Sequence, residues 1–329
     1  MKLLIAYDGS ACADAALDDL THAGLPAEGE ALVMTVAEVW LPPPPPSAFE
    51  IVEMARNPKG SRGLERRYMA GSQAVVDADK LATKAAERFQ SNFPKWKVKH
   101  ESAWGSATFE LFSTAEDFNA DLILAGSHGR SALGRFLLGS TSQWLLNEAS
   151  CSVRIARGKV DEPDFPVRLA VGVDGSENAN LAVEQLAARS WPEKSEVRVL
   201  TVVQPLEPTL VGELVPAIKQ SVQECNQEEM ADSRRLVDRL AKQLREKGGL
   251  RAEGVVKIGD PKRLLVEYAE DWRADCIFIG ATGLSNRIER FLLGSTAAAV
   301  AARAHCSVEI VRKRKQPRAS NGNGNGKGK

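Results

Sequence analysis

The chain has 329 residues, 43 Lys+Arg against 43 Asp+Glu, a formal net charge of zero and 43% hydrophobic residues. That length leaves room for two domains, and the balanced charge argues against nucleic acid or anionic membrane as the main partner. The opening MKLLIAYDGS has too short an apolar run for a signal peptide, no run of about 18 apolar residues follows, and the cysteines form no C-x-x-C pair. A reduced, soluble, cytoplasmic chain with no transmembrane segment is expected.

Taken in chain order, short apolar runs alternate with amphipathic stretches. Leu3–Tyr7, Ala31–Val36, Val98–Ala103, Leu122–Ala125 and Val153–Ala156 have strand character in the first half. Helical spacing occupies Asp14–Leu20, Gln73–Phe89, Thr108–Phe118 (with Phe109, Phe112 and Phe118 near one face) and Ser140–Asn147. Proline fixes φ and donates no hydrogen bond, so the run Pro42–Pro46 and the chain to about Arg67 are expected to be an extended surface excursion. Residues 159–167, beginning KVDEPDFP, have linker composition. The end of the chain, 316–329, is expected to be a disordered basic tail. Trp104, Trp144, Trp191 and Trp272 read as packing anchors near element ends, and Cys151 and Cys306 as core residues.

Three blocks recur in the same order. LLIAYDGS (3–10) matches LAVGVDGS (169–176), DLILAGSHGRSALGRFLLGST (121–141) matches DCIFIGATGLSNRIERFLLGST (275–296), and CSVRIAR (151–157) matches CSVEIVR (306–312). The offset is 166 from Asp8 to Asp174 and 155 from Cys151 to Cys306, so the first copy carries extra residues in its middle. Two copies of one unit follow, 1–158 and 168–315. Strands alternating with helices imply βαβ units with right-handed crossovers, a parallel sheet and helices on both faces. The fold class is α/β, two tandem five-stranded parallel sheets.

In such sheets ligands bind beyond the carboxyl ends of the strands, where strand order reverses. Asp8-Gly9-Ser10 follows the first strand, Gly126-Ser127-His128-Gly129 the fourth, and Gly139-Ser140-Thr141 leads into a helix. Glycines permit close backbone approach, and a helix start offers unpaired N–H groups and a positive dipole end, a construction suited to a di- or triphosphate. Arg130 and Arg135 lie on the same loop. A P-loop lysine and the usual His/Cys metal spacings are missing.

The spacing G-x2-G-x9-G-S, Gly126 through Ser140, resembles the ATP-binding signature of the universal stress protein family, and the resemblance extends over both copies. It implies the 3-2-1-4-5 strand order, an adenine nucleotide alpha hydrolase-like fold and ATP as ligand. A magnesium ion would be held by the phosphates, with Asp8 as an outer partner. By the same resemblance the adenosine end meets Ala6, Tyr7, Asp8 and Val36, and the phosphates meet Ala125, Gly126, His128, Gly129, Gly139, Ser140 and Thr141. A second site would use Gly172, Val173, Asp174, Val202, Ile279, Gly280, Thr282, Gly283, Gly294, Ser295 and Thr296. That copy departs from the signature: ten residues, not nine, separate Gly283 from Gly294, and Thr282 replaces His128. It keeps Gly259-Asp260-Pro261 after its third strand, where the first copy has Gly105-Ser106-Ala107.

The resemblance also implies that Val153–Ala156 and Val308–Val311 pair antiparallel in an intramolecular pseudo-dimer, and it leaves open a further homodimer of chains. His128 is the only histidine near the expected phosphates, a better hydrogen-bond donor than general base, so binding is favoured over catalysis. A slow ATPase on the same site, or a scaffold that no longer binds nucleotide, are the competing readings. Cys12, in the first turn of a helix, fits either a redox sensor or small-residue packing.

Overall fold

The computed structural model describes residues 1–39, 58–128, 138–157, 166–207, 215–282 and 293–313, with side chains of the helix that begins at residue 58 described from residue 69 onward. The proline run, Gly129, Arg130, Arg135, Gly283, linker residues 158–165 and the basic tail lie outside the described residues. The first copy runs β1 (Lys2–Ala6), α1 (Ala11–Asp19), a 3-10 turn (Leu20–His22), β2 (Glu30–Ala37), α2 (Pro58–Asn92) and β3 (Lys97–Trp104). It continues through α3 (Ala107–Phe118), β4 (Leu122–Gly126), α4 (Ser140–Glu148) and β5 (Ser152–Ala156). The second runs β6 (Arg168–Gly172), α5 (Glu177–Ala187), β7 (Glu196–Val203), α6 (Pro216–Gly248) and β8 (Arg251–Ile258). It ends with α7 (Pro261–Asp271), β9 (Cys276–Gly280), α8 (Ser295–Arg303) and β10 (Ser307–Val311).

Both copies have the 3-2-1-4-5 order, and they join edge to edge into one ten-stranded sheet, β3-β2-β1-β4-β5-β10-β9-β6-β7-β8. Pairing is parallel throughout each copy and antiparallel only at the seam, where Val308 faces Ile155, Glu309 faces Arg154 and Ile310 faces Val153. Because side chains alternate along a strand, the two seam strands present different chemistry to each face. Val153, Ile155, Val308 and Ile310 point to the side covered by α3, α4, α7 and α8, where a single apolar cluster runs unbroken from Leu32 through to Leu200. The opposite side holds two separate clusters, one under α1 and α2 and one under α5 and α6. Buried Arg154 and Glu309 come from the strands running between them.

Two hooks cross the seam at its ends. Arg157 Nη2 donates to Ala301 O of α8 at 2.6 Å, and the equivalent Arg312 Nη2 donates to Leu146 O of α4. Ser307 Oγ accepts from Arg157 N at 3.0 Å, and Ser152 Oγ accepts from Arg312 N at 3.2 Å.

Three sequence expectations need correction. Helix α2 already begins at Pro58, so the stretch from there to Arg67 is helical rather than extended. Proline is compatible with the first turn of a helix, and no further proline interrupts the chain before Pro94. Trp104 is 53% exposed, because it ends an edge strand that lacks a neighbour on one side, whereas Trp144, Trp191 and Trp272 do pack against the clusters. Phe109 is also exposed: the buried stripe of α3 is Leu111 and Ala115.

Helices α3 and α7 both end in a left-handed residue, Asn119 at φ 58° and Arg273 at φ 56°. In each case the next amide, Ala120 N or Ala274 N, bonds back to the carbonyl of Ala115 or Ala269. Both residues carry a Cβ that crowds the carbonyl here, but the short polar side chain of asparagine offsets the cost and that of arginine does not. Replacing Arg273 by Gly is therefore expected to raise the unfolding free energy by about 0.5–1 kcal/mol, read from the urea midpoint at unchanged slope.

Candidate functional site

Strand order reverses between β1 and β4 in the first copy and between β6 and β9 in the second, so the turns leaving these strands share one crevice. The β1 turn is held by its own aspartate: Ser10 N donates to Asp8 Oδ1 at 2.9 Å, with Gly9 at φ 74°. Ser10 then caps α1, accepting from Ala13 N at 3.1 Å. The second copy repeats this, with Ser176 N to Asp174 Oδ1 at 3.0 Å and Gly175 at φ 80°. Ala6, Val36 and Val202 are partly buried at the strand ends on the continuous-core side, and Gly172 stands at the position of Ala6. Tyr7 points the other way. Its ring is buried under α1 and α2, and its hydroxyl donates to Asp14 Oδ1 at 2.7 Å, an acid that Arg88 also contacts; burial and that acid push the Tyr7 pKa up to about 12. Only its backbone, and that of buried Val173, can serve the crevice.

The first glycine of each loop has a packing reason. A Cβ on Gly126 would lie 3.0 Å from the carbonyl carbon and oxygen of Cys12, and one on Gly280 would lie 2.7 Å from the carbonyl carbon of Asn178. These glycines let the first turn of α1 or α5 cross the end of β4 or β9. Ala125 and Ile279, just before them, are buried core side chains. The loops are then pinched shut by equivalent bonds, Gly139 N to Ser127 O at 2.8 Å and Gly294 N to Ala281 O at 2.7 Å. The first bond spans 12 positions (127 to 139) and the second 13 (281 to 294), so the extra residue of the second copy falls inside the pinch. Ser142 Oγ adds a bond to Gly126 O at 2.7 Å; Ala297 occupies that position in the second copy.

Gly139 and Gly294 differ from the first glycines. Their backbones, φ −62°, ψ 151° and φ −60°, ψ 146°, are open to any residue. As N-caps of α4 and α8 they supply no side-chain acceptor, unlike Ser10, Ser176 and Asp260, which cap α1, α5 and α7. The first-turn amides of α4 and α8 thus have no side-chain capping oxygen, with Ser140 and Ser295 exposed at the first helical position and Thr141 and Thr296 half-buried behind.

The copies diverge beside this cradle. His128 Nδ1 lies 2.9 Å from Ser127 Oγ, and its Nε2 is buried without a hydrogen-bond partner among the described residues. Burial, assisted by the charge of Arg157, lowers the His128 pKa below the usual histidine value. In the second copy Thr282 Oγ1 accepts from Asn178 Nδ2 at 2.6 Å, tying the loop to α5. Sequence reasoning passed over Asn178, Ser142 and Arg157; each shows its role only once its partner is in place.

A model of the universal stress protein family matches residues 1–157 and, a second time, residues 168–312. A universal stress protein of Synechocystis sp. is 30% identical over 152 residues, 44% of this chain and 97% of that protein. One from Mycobacterium tuberculosis is 28% identical over 260 residues, 74% of this chain and 77% of its own. Among solved structures, a universal stress protein from Archaeoglobus fulgidus shares the fold, with a TM-score of 0.61 at 19% identity over 94% of this chain and 98% of that one. No described helix is long and apolar enough to cross a membrane.

The His128 environment carries a pH signature. The native state disfavours the imidazolium, so the unfolded chain binds more protons as pH falls through the ordinary histidine range, and stability drops with it. Urea midpoints taken between about pH 8 and pH 5 are expected to fall, and to fall less steeply in His128→Asn.

Proposed function

The chain belongs to the universal stress protein family, and on that footing we propose that it is a regulatory protein that binds ATP in the first copy's crevice. The observation that carries the reading is the pair of glycine N-caps. Two helices that start at the strand-order reversals leave their first-turn amides without a side-chain acceptor, and an anionic ligand supplies the missing acceptors.

In this reading the amides of α4, with Ser140 and Thr141, hold phosphate oxygens. Ala6, Val36 and the backbone of Tyr7 and Asp8 form the side toward the nucleoside. A bound nucleotide supplies the negative charge that the helix start lacks, and magnesium would ride on the phosphates with Asp8 nearby. In this reading His128 is a contact for the ligand rather than a general base: Ser127 engages its Nδ1, and burial lowers its pKa. The second copy keeps the pinch and the uncapped helix, so it is a second, weaker candidate, with Thr282 drawn toward Asn178. A role in stress physiology is inherited from the family. The nucleotide state would act by biasing a partner or the assembly of the chain.

Substitution of Gly126 makes a poor test, because it strains the crossing with Cys12 whatever binds. Gly139→Asp is cleaner: its backbone suits an aspartate N-cap, so stability should stay within a few tenths of a kcal/mol. The same carboxylate occupies the acceptor position and repels phosphate, so ATP affinity should fall by about tenfold or more. Calorimetric titration of the full chain with ATP should show binding that Gly139→Asp removes from the first site and Gly294→Asp from any second one. Absence of ATP binding by the unmodified chain, together with no adenine nucleotide released on denaturing it, overturns the proposal.

A further inference from the structure

The seam between the copies holds a chain of four charged side chains that the nucleotide reading does not use. Asp19, at the end of α1, accepts from Arg154 Nε at 2.6 Å and from Arg154 Nη2 at 3.1 Å, and it also accepts from Ser307 Oγ at 2.7 Å. Arg154 Nη1 reaches Glu309 Oε2 at 3.3 Å and Cys276 Sγ at 3.2 Å. Arg189 then closes on Glu309, donating Nη1 to Oε2 at 2.9 Å and pairing through Nη2 with Oε1, while Nη1 also donates to Ala23 O at 2.9 Å. Arg154 and Glu309 are 1% and 0% exposed, so neither charge is screened by water.

The sequence repeat gives this chain its meaning. Arg154 and Glu309 are equivalent positions, the fourth residues of CSVRIAR and CSVEIVR, yet they carry opposite charge. They are also directly opposite each other in the seam register, whereas Val308 faces Ile155 and Ile310 faces Val153. The local twofold relating the copies therefore passes between Arg154 and Glu309. A residue on such an axis meets itself whenever two like copies pair. Two first copies would bury Arg154 against Arg154, and two second copies would bury Glu309 against Glu309. Each leaves like charges in a desolvated seam, the arrangement buried ion pairs are most effective at excluding. The flanking charges also differ between the copies, Asp19 being matched by Gln185 and Arg189 by Ala23, so each seam charge brings one counter-ion from its own copy and the face-to-face pair is what selects the partner.

We infer that the seam is a charge-keyed interface in which a first-copy edge accepts only a second-copy edge. The only second chain that can occupy it is another molecule of this protein exchanging halves with the first. Like-with-like dimers through β5 or β10 are closed to it.

The test uses two full-length variants. Glu309→Arg sets two guanidinium groups face to face in the seam, and Arg154→Glu sets two carboxylates face to face. Each alone is expected to lose the closed seam, seen as a lower melting temperature and a larger radius in small-angle scattering. Refolded together, the intact Arg154 of one variant meets the intact Glu309 of the other and rebuilds a native seam between chains. Native mass spectrometry should then show a mixed two-chain species as the major one, absent from either variant alone. If a variant aggregates by itself, joint refolding should restore it to solution in the mixed species. The inference fails if either variant keeps the unmodified chain's melting temperature and radius. It fails equally if joint refolding yields no mixed species, or if one variant alone forms two-chain species as readily.

Discussion

Antiparallel pairing of β5 with β10 is the contact on which the rest of the molecule depends. Ten strands become one sheet only through it, and the apolar cluster on one side crosses the seam unbroken because Val153, Ile155, Val308 and Ile310 supply its middle. That burial is where the seam's stability resides. The buried ions on the other side add little net free energy, since desolvation offsets most of their attraction, but removing one partner would strand its neighbours. Stability and selectivity thus come from opposite faces of the same two strands.

The glycine loops show a comparable division of labour. Gly126 and Gly280 answer to the chain, making room for α1 and α5 to cross the sheet ends. Gly139 and Gly294 answer to no backbone demand of their own, and they withhold a cap that other helix starts in the molecule possess. A motif that reads as one unit along the sequence therefore mixes architectural positions with positions free to serve a ligand. The pinch from Gly139 to Ser127 separates the two and confines differences in loop length between the copies.

Most of the fold was legible because strands buried on both faces are short apolar runs, and because the repeat shows each one twice. Strand bounds differ from the apolar runs by a residue or so. Misreadings fell where local chemistry was silent about neighbours. Trp104 looks like an anchor until β3 is seen to be an edge, and Pro58 looks like more of the proline excursion until it is seen to open α2. At the candidate site, the strand-end turns carrying Asp8 and the glycines were legible in the sequence, while the direction of Tyr7 was not, since alternation does not say which face is the crevice side. Arg154 and Glu309 were visible as single charges inside apolar strands. Their meaning needed the register, because a one-residue slip would set each against a valine or isoleucine.

The hooks at the seam's ends bear on what counts as a part. Helix α4, which opens the first copy's cradle, has the carbonyl of Leu146 held by Arg312 from the second copy, and α8 has that of Ala301 held by Arg157 from the first. Each cradle helix is thus moored at its far end to the other repeat. The unit that recurs in the sequence is not the unit that could be lifted out whole: a half severed at the linker would keep its glycine loop and lose the mooring behind it.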